Sequence, residues 1–569
     1  MPTPPICGHP CEADTPRMPT PPATDRASCT AHGTFECLID GHGLSHAEVL
    51  SRRGQQTPVS ARFTRVIDRA GRADTVPDAR SFSVRFHGSE ETFDLNGCSL
   101  PVGLARDGPP LTWPGMPTAE EDPESRPLPV RERFWSAVAD APGRLHMALW
   151  AMSDRGLPRS LRWMDGYGLQ TFRLDDSPQG WRWGRFQWRS TLGISSLSGA
   201  EGRQLACASP DHHHRDLHDA IARQEPPSWD LCVQIFDQHD GEGWPFDLRD
   251  PTTLVPEEVA PLMVIGRMTL DRSWPERAHL RHTARPASAR MPGPARRWPP
   301  AQPPDPSPAR ATEGPYRQSQ QFVQALDAIE REQLIDTLSR ELGPLSRPSV
   351  RLQLLGHLRV IDEALSVELA QRLAIDERRV RPARAPLPPA AQAPYPSLSA
   401  ARSRPGTLRG RHVGALVSAG ADAAILRILA AQLNRAGARL SVIGMRPGCV
   451  SLSDGCHLIP DVTLGQAPAA CFDAVAILGA PYSMAGLQGD PGALDWVRDA
   501  WRHGKPMALV CASVPLCVLI GAGCDEGMFV LDGQEDPRLA GLDLGGRLQI
   551  FCALVARGRW RGRRPAGRC

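Results

Sequence analysis

The chain has 569 residues, 41% of them hydrophobic and 22% charged, and a net charge of +2. That length exceeds what one hydrophobic core serves and suggests about three units of roughly 100–200 residues each. So small a charge gives no case for nucleic acid or a membrane surface as main partner, and no stretch approaches the roughly 20 apolar residues of a membrane helix.

Residues 1–27, rich in Pro, Thr and Ala, predict a disordered arm. They have neither a basic start nor an apolar run, so they do not read as a secretory signal. From about 28 to 280 come short runs alternating apolar and polar residues, among them SARFTRVI, SFSVRF, GLQTFRL, RWGRFQW and LCVQIF. Turn residues separate them, and the pattern predicts antiparallel β-structure closed into a barrel. The 57 prolines are about twice the average share, and they cluster. Residues 283–315 are so rich in proline that they cannot supply the backbone donors of a sheet or helix interior, which makes them a linker.

From Tyr316 to about Ile375 the apolar period becomes 3.6, through Phe322, Ala325, Leu326, Ile329, Leu334, Leu338 and Leu342, with a second helix from about Val350 to Leu373. Residues 381–406 form another linker. The last third, 407–556, alternates strand and helix: RHVGALVSA, a helix over Ala421 to Ala436, LSVIG, FDAVAILGA, a helix over Ala493 to Arg502, MALVCAS and GMFVLDG. Such alternation predicts a parallel sheet covered by helices on both faces, and residues 557–569 make a basic tail. The whole is an α+β chain.

Local chemistry alone yields few sites. The thiols and histidine of CGHPC, residues 7–11, lie in the predicted arm and make a poor zinc site. His212, His213 and His214 are adjacent and do not converge on one ion, so a solvated face is the better reading. Cys511 follows a predicted strand and opens a predicted helix, as nucleophile-elbow cysteines do. Its neighbours Ala512 and Ser513 supply no base and the first strand of that domain no carboxylate, so it reads as buried and inert. The fifteen cysteines, odd in number and mostly inside apolar runs, fit buried thiols of a reducing, cytoplasmic compartment.

Longer stretches carry a resemblance. SARFTRVI, GRADTVPDARSFSVRF, FDLNGC, LHMALWAMSDRGLPRSLRWMDGYGLQTFRL, PDHHHRDLHDAI, FDLRDPTTLVPEEVAPLMVIGRMTLDR and YRQSQQFVQALDAIEREQLIDTLSREL follow the order and lengths of haem catalase segments. Over about 28–280 and 316–550 the chain resembles the large-subunit (hydroperoxidase II-like) group of that family. The resemblance implies a catalase-type antiparallel β-barrel, a helical region and a C-terminal flavodoxin-like (class I glutamine amidotransferase-like) α/β domain. It also implies haem, hydrogen peroxide as substrate, conversion of peroxide to water and dioxygen in protection against oxidative stress, and a homotetramer.

Haem catalysis of that kind uses a distal histidine as proton shuttle, a distal asparagine to orient peroxide and a proximal tyrosinate on the iron. Ala31-His32-Gly33 matches the family's Ala-His-Gly, which puts Asp25 at the distal histidine position and makes His32 the wrong histidine. By the same matching Cys98 stands at the distal asparagine, Thr64 at the distal serine, and Gly103 and Leu104 where pocket phenylalanines belong. Arg62 matches an arginine that pairs with a haem propionate in the family.

The proximal motif Arg-Leu-Phe-Xaa-Tyr should fall between Arg272 and Tyr316, where the proline-rich linker stands instead. The four tyrosines, Tyr167, Tyr316, Tyr395 and Tyr482, all lie elsewhere, and His279 or His282 would be irregular substitutes. The expectation is a catalase homologue that has lost the distal histidine, distal asparagine and proximal tyrosine, retains no haem and is weakly active or inactive. Loss of the acid–base residue alone typically costs roughly 10²–10⁴ in rate. The alternatives are an active haem catalase with ligands from unrecognised positions, and a thiol or small-molecule function of the C-terminal domain.

Overall fold

A computed structural model describes residues 28–40, 44, 47–66, 73–89, 92–104, 129–177, 180–237, 248, 250–273, 315–384, 395–400, 406–523, 525–533 and 541–560. The expected N-terminal arm, almost all of the linker at 283–315, most of the linker at 381–406 and most of the basic tail lie outside the described residues.

Eight antiparallel strands close into a barrel in chain order: β1 (Ser28–Cys37), β2 (Gln56–Arg65), β3 (Arg80–His87), β4 (Thr92–Cys98), β5 (Gly166–Ser177), β6 (Gly180–Ser190), β7 (Ser228–Asp237) and β8 (Met263–Ser273). The two-residue period of the sequence decides which way each side chain faces. On β2, Val59, Ala61 and Phe63 are buried inward while Ser60, Arg62 and Thr64 face out. The lumen is packed with rings rather than hollow. Phe35 meets Phe86 edge-on at 5.1 Å, Phe63 meets Phe82 at 4.7 Å, and Trp188 and Trp229 close the stack. The seam between β8 and β1 depends on Gly33, beside a bulge, where a Cβ would overlap the Thr269 carbonyl oxygen.

Four helices interrupt the strands: α1 (Val130–Asp140) and α2 (Leu145–Met152) before β5, then α3 (Gly199–Ala208) and α4 (His212–Ala222) before β7. The sequence reading, which saw only strands between 28 and 280, misses them. All eight residues of α2 are buried, so it has no amphipathic period to betray it. The helical region is likewise more divided than its two expected helices: α5 (Arg317–Ala325), α6 (Ala328–Leu342), α7 (Pro348–Ile361) and α8 (Glu363–Arg372). Asp327 and Glu330 form a capping box that starts α6, and Asp362 caps α8. Together with α1 and α2 these helices bury a core against the outer barrel wall at Cys98, Leu100 and Val102.

The C-terminal domain has a six-stranded parallel sheet formed by β9 (His412–Val417), β10 (Arg439–Gly444), β13 (Val462–Thr463), β14 (Ala474–Leu478), β15 (Met507–Leu509) and β16 (Met528–Val530), in the order β13-β10-β9-β14-β15-β16. A hairpin of β11 (Val450–Ser451) and β12 (His457–Leu458) stands apart. On one face lie α9 (Ala423–Arg435) and α13 (Leu544–Arg557), and on the other α10 (Met484–Gln488), α11 (Pro491–Arg502) and α12 (Val514–Leu519).

This domain docks on the barrel through buried charges. Arg159 pairs with Asp473 at 2.8 Å, and Arg411 reaches the same carboxylate at 3.2 Å while lying 4.3 Å over the Trp163 ring. Lys505 pairs with Glu201 at 2.6 Å, and Arg559 also contacts Glu201. Burial resists the ionisation of both carboxylates, but the facing cations overcome it. They hold Asp473 down at about 2 and Glu201 well below the usual range.

Candidate functional site

The residues singled out in the sequence meet on the outer face of β1–β4. Thr64 sits opposite Ser28 on β1 and Ser81 on β3, Ser81 sits opposite Cys98 on β4, and Cys98 opposite Tyr167 on β5. Arg62 lies one step along the same face, between Thr30 and Ser83. Strand spacing puts Thr64 and Cys98 roughly 10 Å apart. Asp25 lies outside the described residues.

Their surroundings differ sharply. Cys98 is fully buried in the apolar core shared with the helical region, and burial pushes its thiol up to about 12. Arg62 is exposed and Thr64 half-buried. Leu104 is buried in that same core, and the Gly103 N–H donates to the Pro251 carbonyl at 2.7 Å. His32, also on the outer face, shares the Ser60 hydroxyl with His87, each ring nitrogen 2.8 Å from Oγ. Beneath the row, Arg80 is fully buried and donates to the carbonyls of Asp74, Val76, Asp78 and Gly156, which fixes the start of β3. The sequence reading gave Arg80 no role.

All four tyrosines lie among the described residues. The Tyr167 hydroxyl accepts from Arg155 Nη1 at 2.6 Å. Tyr316 is buried in the helical region, 2.6 Å from His357 Nδ1, and the other nitrogen of that ring lies 2.9 Å from the Ala139 carbonyl. Nε2 must therefore carry the proton, and Tyr316 donates to Nδ1. Tyr395 is half-buried against the helical core, and Tyr482 is exposed in the C-terminal domain, over Gly420.

Two local readings need correction. His213 is not on a solvated face: it is buried, its Nε2 is 2.9 Å from the Pro158 carbonyl, and burial holds it neutral. Among the described residues no group of His, Cys, Asp and Glu could hold a metal, while CGHPC, His279 and His282 lie outside them. Cys511 is exposed rather than buried. It opens a 3-10 turn after β15, and its backbone N–H donates to Asp532 Oδ1 at 2.6 Å. A carboxylate therefore does stand at this turn, just past the end of the neighbouring strand β16 rather than on the first strand, and it holds the backbone of Cys511. The Asp-Gly after GMFVLDG's apolar run was its signal in the sequence.

Comparison with known proteins agrees with this architecture. The family model for catalase matches residues 22–279, that for the catalase-related immune-responsive domain 311–373, and that for the DJ-1/PfpI family 413–528. Catalase C of Rhizobium meliloti is 28% identical over 88% of this chain and 83% of its own length. Catalase HPII of Pseudomonas aeruginosa is 27% identical over 88% of this chain and 82% of its own. Catalase-3 of Neurospora crassa reaches 37% identity over 43% of this chain and 34% of its own length. A catalase-type barrel, its helical companion and a DJ-1/PfpI-type domain thus follow one another, each matched by its own family model, and the chain is similar to catalases along most of its length.

Proposed function

We propose that this chain keeps the catalase scaffold without ordinary catalase turnover, and that it holds no haem in the family's manner. The placement of the four tyrosines carries the reading: Tyr167 is engaged by Arg155, Tyr316 by His357, Tyr395 packs on the helical core, and Tyr482 stands in another domain. None offers a phenolate to an iron on the outer face of β1–β4. The other groups fit a haem no better. Cys98 is a buried thiol, a weak donor where an orienting amide is needed, and Arg62 is an exposed guanidinium on an open polar face. Hydrogen peroxide and haem are the catalase family's substrate and cofactor.

The test is titration of the purified protein with hemin, followed by absorption and by oxygen release from peroxide. We expect no stoichiometric Soret band and no oxygen release above free hemin. A one-to-one high-spin tyrosinate-type spectrum, or oxygen release near that of ordinary catalases, would overturn the reading.

One observation favours a second reading, a thiol function in the C-terminal domain. Cys511 is exposed at the carboxyl end of β15, with its backbone N–H held by Asp532. Alkylation of Cys511 by iodoacetamide at neutral pH faster than that of free cysteine supports this reading, and a rate equal to that of free cysteine removes it.

A further inference from the structure

On the outer wall of β5, β6 and β7, under residues 254–257 and 397–398, lies a cavity of about 40 Å³ lined by Arg155, Tyr167, Gln187, Gln234 and Glu257, with Trp150 at one side. One buried water needs roughly 10–15 Å³, so the space suits about three waters or one small ion.

The chemistry of the walls decides between them. Arg155 is 7% exposed and its guanidinium donates one hydrogen bond, to Tyr167. Its Nε has no hydrogen-bond partner among the described residues. Two carboxylates share this wall without a hydrogen bond to Arg155: Arg189 holds Glu257 at 2.5 and 2.7 Å, and Asp165, which feels the Arg155 charge only across space, accepts from the Ser190 N–H at 2.9 Å. What faces the cation instead is aromatic, the Trp150 ring at 5.4 Å and the Tyr167 ring at 5.9 Å. Cation–π contact offsets only part of the cost of burying a charge.

Tyr167 adds to the surplus of donors. Its oxygen accepts from Arg155, so its own O–H remains to be given, and no acceptor for it is found among the described residues. A buried cation and a hydroxyl donor therefore border the same space, with nothing negative bound to either.

We propose that this cavity binds one small monovalent anion, of chloride or nitrate size, with Arg155 as its countercharge and Tyr167 as a second donor. Such an ion stabilises the folded chain by mass action, through binding the native state alone. Bulky organic anions such as gluconate do not fit the volume.

The experiment is thermal unfolding of the full chain in chloride, nitrate or gluconate at matched ionic strength. Chloride and nitrate should raise the Tm with a saturating dependence on concentration, and gluconate should not. Tyr167→Phe should move the half-saturation point up by roughly tenfold or more, and Arg155→Met should abolish the response. If Arg155→Met does not fold, Tyr167→Phe and a bromide-soaked crystal still decide. An anomalous bromide peak between Arg155 and Tyr167 supports the proposal. Equal Tm values in all three salts, an unshifted half-saturation point in Tyr167→Phe, or a bromide-free cavity would each overturn it.

Discussion

Replacing Lys505 with methionine keeps the reach of the side chain and deletes its charge where the C-terminal domain meets the barrel. Lys505 is 3% exposed, and its ammonium donates to Glu201 Oε1 at 2.6 Å and to the Phe472 carbonyl. At an effective dielectric of about 20 that pair attracts by roughly 6 kcal/mol. Most of this is offset by the cost of removing both ions from water. The loss on mutation follows from what remains. Glu201 keeps Arg559 and the Ser198 N–H, whereas the Phe472 carbonyl loses its donor. Removing one partner of a buried pair costs about 3–5 kcal/mol, and the surviving Arg559 contact places this case near 3 kcal/mol. For a unit of about 150–250 residues, that is a Tm lower by roughly 6–12 °C. Thermal scans by circular dichroism of the wild type, Lys505→Met, Glu201→Gln and the double variant measure it. The double variant should lose less than the sum of the singles, because each single leaves a charge or dipole unmatched. A shift below about 2 °C in Lys505→Met, or strictly additive losses, refutes the reasoning.

Acid should loosen the same junction. Asp473 and Glu201 have lower pKa values folded than unfolded, so the stability they give is complete above about pH 5 and drains away as pH falls toward 2. Tryptophan fluorescence should therefore report an acid transition in that window, and an unchanged signal down to pH 2 contradicts it. Gly33→Ala forces a Cβ onto the Thr269 carbonyl at the barrel seam and should cost at least about 3 kcal/mol in urea unfolding; a loss under about 1 kcal/mol means that the seam relaxes more easily than its geometry implies. Thiol labelling of the native protein should reach Cys207, Cys449, Cys456 and Cys511 and spare Cys98 until the chain unfolds, with early modification of Cys98 as the contrary result.

The barrel was legible because its strands alternate. SFSVRF and RWGRFQW show which residues face in, and the structure places them in β3 and β6 accordingly. The helices within the same region were not, since LHMALWAM is buried all round and leaves no period to read. The helical region was visible as a whole but not in its breaks, although Asp327 followed by Glu330 is a capping signal available in the sequence. At the candidate site, matching to the family brought Thr64, Arg62 and Cys98 onto one face. The burial of Cys98 depends on helices whose residues lie up to about 270 positions away, such as Leu369 in the same core, and no local pattern carries that. Arg155 went unnoticed for a related reason. Its segment was read only as part of the family resemblance, and the space it borders exists only once residues 254–257 and 397–398 fold over the wall.

The closure of the barrel also bears on how the chain fails. The barrel returns on itself and so pairs each of its strands on both sides, although β4 and β5 are joined only at Gly97–Gly168 and Cys98–Tyr167. The other edges among the described residues are those of the β11–β12 hairpin, two residues per strand, and of the C-terminal sheet, where β13 is two residues long and β16 three. Templates that short give an incoming strand almost nothing to register against. Among the described residues this arrangement disfavours strand-by-strand growth, and the exposed Val518 and Leu519 offer side chains through which self-association can begin instead.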